Sequence, residues 1–535
     1  KMGKIKIKQK SQTMAGNAVV EGKTGIKAKR SGNLKEPPKV LYEDKTKREA
    51  NVKHFRMSDG SYRAEIYNEP IHYYDAAEGK YLAIDNTLCD CPACSGQEDD
   101  FDGYENRQSD VKVKFGKRTG SGKLLSLRKG QYGVEWRLSK GTAKARMSEN
   151  DSPAELLHGA EEKERLSDEI RYKDVFTGTD LQYVVSSVCI KENIIVKERL
   201  ENYEYEFMLK LKNLDIELSE DERRLNLYTT RLDENSGASS KEIVFTIPMP
   251  YMYDAKGERS SEVEYELEEQ GGGYLFKIKA DEAWINAEER AFPVVIDPEI
   301  ETDHTGILEA FTFMRTEYIA ANNELLDEEE SVYDAQSQPN WVMSSGVRWV
   351  NATSSVARQI DAFFIDFKNL PDWLIESKIT SVKLHADIVK SEVNDGEPSG
   401  LHIKLVDKYW EGTQPTWDFI DGLNNVAGII TAQQMKEAQL EIDLMKVWAH
   451  HQENYGVVVA PYNVPAADVK KQTENHISIN NSIMLTVAYI PDRSLKSEEY
   501  QINNVKRAGT HMLDLWTGHN RFVHEDGNFD ESLRL

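Results

Sequence analysis

Three tryptophans, one cysteine cluster and a few charged loops are the residues here whose types and spacing invite chemistry. An indole stacks on the apolar C–H face of a sugar ring while nearby carboxylates accept hydrogen bonds from its hydroxyls. Trp417 follows Pro415 in a polar loop, with Trp410 and Asp418 close by in sequence, so these three are the candidate glycan contacts. The plainer reading of Trp410 and Trp448 is that they fill the core, as large aromatics usually do. Cys89, Cys91 and Cys94 (CDCPAC) could give three thiolates to zinc, but a structural site usually pairs two Cys/His couples and no second couple is visible. A surface loop or one local disulfide is the simpler expectation. Glu98, Asp100, Asp102 and Gly103 imitate the first half of a calcium loop, yet its twelfth position, which needs a bidentate acid, is Ser109. No cofactor is expected, with zinc and calcium kept as minor alternatives.

Other motifs fail on spacing. In Gly116–Lys123 (GKRTGSGK) five residues, not four, precede the Gly-Lys pair, and Leu124 stands where a phosphate loop needs Ser or Thr. His450 and His451 are adjacent, so they lack the four-residue spacing that puts two imidazoles on one helical face. No Gly-x-Ser-x-Gly elbow occurs. With 91 acidic residues, carboxylate pairs suited to glycoside hydrolysis are unavoidable and therefore uninformative. The expectation is a non-catalytic chain, with a carbohydrate-binding adhesin and a polysaccharide-degrading enzyme as the alternatives.

The elements that would position these residues read as strands. Phe363, Ile365, Phe367; Val382, Leu384, Ala386, Ile388; Leu401, Ile403, Leu405; Leu440, Ile442, Leu444; and Ile483, Leu485, Val487, Tyr489 all recur at period two. Tyr455–Pro461 (YGVVVAP) is apolar throughout and reads as a strand buried on both faces. The fold class is mostly β: a β-rich N-terminal domain over 49–298, then an antiparallel jelly-roll-like β-sandwich over 303–492, with few short helices. Within the first domain Asp59-Gly60 marks a hairpin. The spacing predicts a helical insert near 152–170, opened by Ser152-Pro153 and Glu155. EIVFTIPMPYMYDAKGERS is expected to pair with YELEEQGGGYLFKIKAD around Gly271–Gly273. Thr431 and Gln434 cap a short connector. Residues 1–48 read as a basic, poorly ordered arm, and 493–535 as a linker.

The order AFFIDFKNLP, ITSVKLHADIV, WEGTQPTW, LEIDLMKVWAHH, YGVVVAP and IMLTVAYIP, with Arg358 at its head, resembles the DNRLRE domain, a module also classed among carbohydrate-binding modules. Upstream, NVKHFRMSDGSY, EPIHYYD, YKDVFTGTDLQYVV, FTIPMPYMYDAKGE and AWINAEERAFPVVIDP resemble a region of large Gram-positive surface proteins with Rhs/YD repeats, relatives of wall-associated polymorphic toxins. The resemblance implies the N-terminal portion of such a protein. Its partners would be the repeat shell and toxin of the same polypeptide, and contact with a cell-wall or surface glycan would run through the sandwich. Its roles would be anchoring, presentation or closure of the shell, in a secreted or surface-associated setting.

Charge narrows the partners further. Residues 1–48 carry fourteen Lys/Arg against Glu21, Glu36, Glu43 and Asp44, a surplus of +10 in a chain of net charge −24, which leaves −34 on the remainder. Such a body repels phosphate backbones and anionic lipid, so nucleic acid is not expected as a partner. No run of eighteen apolar residues exists, so membrane insertion is not expected, and if the intact protein is exported its signal has been removed or lies upstream of Lys1.

Overall fold

In the computed structural model the described residues run from 37 to 491, apart from 93–100, 140–150, 158–167, 220–223, 233–238, 303–305, 335–341, 352–355, 395–399, 407–415, 446–455 and shorter gaps. Three further strands lie between Gly509 and Asp530. The chain is mostly β, as the alternation requires. Antiparallel sheets of 8, 11 and 14 strands carry the described residues, beside a two-stranded ribbon and a three-stranded sheet. The described α-helices are Glu282–Ile285 and Trp417–Asp421.

The 8-stranded sheet, from Asp85–Cys91 to Val263–Gln270, and the 11-stranded sheet, from Ala154–Leu157 to Asp215–Leu218, share one core between Leu88 and Ile300. Alternate residues of each strand enter it, which is how two sheets bury one face apiece. Trp136 packs on Phe207 and Phe276 within one sheet, at 5.4 and 5.1 Å between ring centres, and Phe115 meets Tyr183 of the facing sheet at 5.3 Å. Tyr172 donates its hydroxyl across the seam to the Gly116 carbonyl at 2.5 Å.

The 14-stranded sheet follows a hydrogen-bonded path of eleven strands, with three more paired to it off that path. Its long strand Ser377–Val393 pairs first with Met484–Pro491 and then with Asn475–Ile479. Register shifts between Ile379 and Ser381 and between Ile388 and Lys390 mark where it bends. Strand Val356–Phe367 is buried on both sides: Phe363, Ile365 and Phe367 join one core, Ile360, Ala362 and Phe364 another. Strand Val457–Pro461 does the same, with Val457 and Val459 against Val458 and Ala460.

Local turn chemistry matches the sequence where partners are neighbours. Gly60 (φ +89°) closes the hairpin of Val52–Met57 with Tyr62–Tyr67, and Asp59 accepts from the Ser61 amide. Thr431 and Gln434 exchange backbone–side-chain hydrogen bonds of 3.0 and 3.3 Å around a 3-10 turn, Gln434–Lys436.

Elsewhere distant pairing overrides local preference. The expected helix near 152–170 is not formed at its ends: Ala154–Leu157 and Asp168–Phe176 are strands paired with each other, and 158–167 lie outside the described residues. A free sheet edge supplied the ladder that a helix start could not outweigh. Gly271 and Gly272 do turn Val263–Gln270 into Gly273–Ala280, but Ser239–Pro248 pairs with Arg224–Leu232 instead of with that hairpin. Val40–Glu43, expected in the poorly ordered arm, pairs with Phe55–Met57, whereas 1–36 lie outside the described residues. Tyr62–Tyr67, expected in the N-terminal domain, pairs with Met484–Tyr489. The expected linker holds strands Gly509–Asp514, His519–His524 and Phe529–Asp530.

Gly456 leads into the two-sided strand with φ +92°, and a Cβ there would stand 2.0 Å from the Ile365 carbonyl oxygen. Gly456→Ala is therefore expected to destabilise the protein by about 2 kcal/mol or more in urea unfolding.

Candidate functional site

Trp417 opens the helix Trp417–Asp421, whose apolar side packs with Phe313, Phe364 and Val458. It is only 4% exposed. The Arg315 guanidinium lies 4.8 Å from its ring centre, and Phe313 meets it edge-on at 6.1 Å. Arg315 in turn bridges Glu330 at 2.8 Å, Glu328 at 3.5 Å and Asp421 at 3.7 Å. The expected sugar platform at Trp417 is therefore not presented: the indole face is taken by a guanidinium and a core. Proximity to Pro415 marked a loop, but the hydrophobic helix that follows pulled the ring inward. Asp418 is exposed on that helix, and Trp410 and Trp448 lie outside the described residues.

Cys89 and Cys91 sit half-buried on the edge strand Asp85–Cys91, with Arg107 Nη2 3.5 Å from the Cys89 sulfur, and Cys94 lies outside the described residues. Among the described residues no cluster of three or more His, Cys, Asp or Glu side chains is arranged to hold a metal ion.

Two buried polar clusters were not foreseen from sequence. The first crosses the 14-stranded sheet. His476 is fully buried, with Nε2 2.8 Å from Asp361 Oδ2 and Nδ1 3.9 Å from Glu392 Oε2. Arg348 Nε donates to Gln359 at 2.7 Å and stands 3.9 Å from Asp361. Gly346 makes this meeting feasible. It is the register partner of both Asp361 and His476, holds φ +129°, and would place a Cβ 2.0 Å from the Asn475 carbonyl oxygen. Burial alone would raise the Glu392 carboxyl, but its Lys390 partner at 2.8 Å and the charges of His476 and Arg348 hold it below its ordinary value. Alongside, Arg358 is ion-paired with Glu317 and lies 5.9 Å from the Trp349 ring centre.

The second cluster lies between the two sheets of the N-terminal half. Glu192 points into the core from Cys189–Val196, and Tyr183 donates its hydroxyl to it. Burial pushes the Glu192 carboxyl up to about 8. A neutral acid accepting one hydrogen bond costs far less here than a carboxylate would. On the same strand Lys191 Nζ meets Asp297 Oδ2 of Val294–Asp297 at 2.6 Å, and Tyr251 donates to the same oxygen. Burial opposes the Lys191 charge, but Asp297 outweighs it and raises the ammonium's pKa. Burial, then the Glu301 and Asp297 carboxylates, raise Glu299. The one signal in sequence was the alternation in CIKENIIV, which puts Glu192 on the same strand face as Ile190 and Ile194.

Chemically, these groups pair with one another, while Asp361 Oδ1, His476 Nδ1 and Asp297 Oδ1 are left without a hydrogen bond. The Asp361–His476 pair has the outline of an acid–base dyad, but its third neighbour is a carboxylate, and at 2% and 0% exposure neither side chain can meet a substrate. It acts as a bolt across three strands.

Comparison with known proteins adds a family context. No family model matches the chain, and no solved structure matches it. The chain is 24% identical over 421 residues to the tRNA nuclease WapA of Bacillus subtilis strain 168, an alignment covering 77% of this chain and 16% of that protein. It is 24% identical over 427 residues, with the same coverages, to the tRNA3(Ser)-specific nuclease WapA of Bacillus spizizenii. The chain thus spans about a sixth of the length of the curated relatives it matches. These findings overturn the expected placement in an Rhs/YD-repeat surface protein with a DNRLRE domain. The relatives carry a nuclease name, and no family model supports the module. Strand order and short peptides are shared too widely among β-sandwiches to fix a family.

Two outcomes follow from the geometry. Trp417→Ala is expected to lower stability by about 3 to 5 kcal/mol in denaturant titration, the loss of a buried aromatic. Glu192 binds its proton more tightly folded than unfolded, so its stabilising contribution is complete below about pH 4.5 and is lost as pH rises through about 8. Unfolding free energy is expected to fall across that window by on the order of 5 kcal/mol from this group, and Glu192→Gln to flatten the slope.

Proposed function

We propose that this chain is a non-catalytic β segment of a longer nuclease polypeptide, one that supports and presents the part carrying the tRNA-cleaving chemistry. The observation that carries this reading is the coverage: the match takes in 77% of this chain but only 16% of a relative named for cleaving tRNA. The remaining five-sixths of the relative has ample room for the catalytic part. Within the described residues the ionisable groups nearest to a catalytic arrangement, Asp361 and His476, are sealed from solvent. Outside the basic arm the chain carries −34, which repels an RNA backbone rather than drawing it in. Its partner in this reading is the rest of the same polypeptide, and its setting is secreted or cell-surface.

Incubating the purified chain with total tRNA, with and without magnesium or zinc, provides the test. Intact tRNA and no retention of tRNA at moderate salt are expected. Cleavage that follows the chain through purification and disappears in His476→Ala would overturn the proposal.

A further inference from the structure

The N-terminal hairpin takes as its sheet neighbour a strand more than four hundred residues later in the chain. Tyr62–Tyr67 runs antiparallel to Met484–Tyr489 in unbroken register, from Tyr62 opposite Tyr489 to Tyr67 opposite Met484. Val52, Ala64 and Ile66, each fully buried, share a core with Val382, Leu384, Leu485 and Val487. Aromatic contacts lock the same seam. Tyr62 stacks on Tyr489 at 5.5 Å, Trp373 lies 4.6 Å from the Tyr489 ring, and His54 Nδ1 is 2.8 Å from the Tyr489 hydroxyl, across 435 positions of sequence.

The described strands between Asp85 and Thr302 build the other two large sheets around a separate core, from Leu88 to Ile300, none of whose members belongs to the first. The chain leaves the 14-stranded sheet and re-enters it at neighbouring points. Asn68 donates its amide to the Ile483 carbonyl at 3.4 Å, and a Cβ on Gly306 would stand 3.1 Å from Asn68 Oδ1. Such adjacency of entry and exit is what a domain inserted into a host requires.

We propose that the edge of Met484–Pro491 is a strand-acceptor surface, occupied by the hairpin Val52–Tyr67 as a clasp, and that Asp85–Thr302 is a cassette inserted between clasp and host sheet. The partner such an edge fits is an extended segment with small and branched apolar residues at alternate positions, Ala64 and Ile66, preceded by an aromatic residue, Tyr62. Backbone hydrogen bonds supply the affinity, and the buried alternate side chains supply the register. Without the clasp the strand would offer an open row of N–H and C=O groups beside Val487 and Leu485, the condition that natural sheets cover.

The test uses the full chain and hydrogen exchange read peptide by peptide during urea unfolding. Ile66→Ala and Val487→Ala are expected to speed exchange together in 377–393 and 475–491 and to move the same unfolding transition. Peptides 111–138 and 179–196 should stay as protected as in the parent. Trp136→Ala should do the reverse. If Ile66→Ala does not fold, Ile66→Val gives the same comparison with a smaller shift. Faster exchange in 111–138 than in 475–491 on changing Ile66, or one transition moved equally by all three variants, would overturn the cassette. A protease site placed at Glu69–Pro70 tests the acceptor edge. After cleavage the N-terminal piece should stay bound and be displaced by excess synthetic peptide spanning residues 50–68. Release of the piece with both transitions unchanged would overturn the clasp.

Discussion

The structure depends on one strand having no solvent face. From Ala362 to Ile365 every residue of Val356–Phe367 is fully buried, with odd positions in one core and even positions in the other. A strand in that state must have packed layers on both sides, so the sheet around it cannot remain a single exposed surface. The two-sided strand Val457–Pro461 and the inward helix Trp417–Asp421 both answer that demand. Trp417 lies where it does because the second core needed covering, and that use removes it from any ligand surface.

The same demand explains the polar clusters. A strand buried on both faces has no wet side on which to leave ionisable groups, so Asp361 is matched with His476 and backed by Arg348. Gly346 gives up its side chain to let them meet. In the N-terminal half Glu192 is handled differently: burial keeps it protonated, and Tyr183 supplies its hydrogen bond. Both solutions hold strands together, and neither leaves a reactive group facing solvent.

Nesting of one β body within another keeps the core from Leu88 to Ile300 apart from the two cores that flank Val356–Phe367, without a simple cut in the chain. The hairpin Val52–Tyr67 is early in sequence and late in architecture, because its apolar positions fit the edge of Met484–Pro491. Joining a host sheet at both ends restrains an inserted body more than a single tether does.

The sequence by itself determined that this protein is built of strands, because alternation of Phe363, Ile365 and Phe367 or of Leu485, Val487 and Tyr489 is written in the residue types and needs no partner to be read. It also marked turns whose chemistry is local, such as Asp59-Gly60 and the Thr431–Gln434 cap. What only the tertiary structure decided was which strands meet. Hydrogen-bonded ladders carry no residue code, so Ala154–Leu157 became a strand on an available edge where a helix start was written. Ser239–Pro248 took Arg224–Leu232 as its partner, and Tyr62–Tyr67 crossed the whole chain to reach Tyr489. The Asp361–His476 contact was invisible for the same reason: its partners share no motif, only neighbouring rows of one sheet.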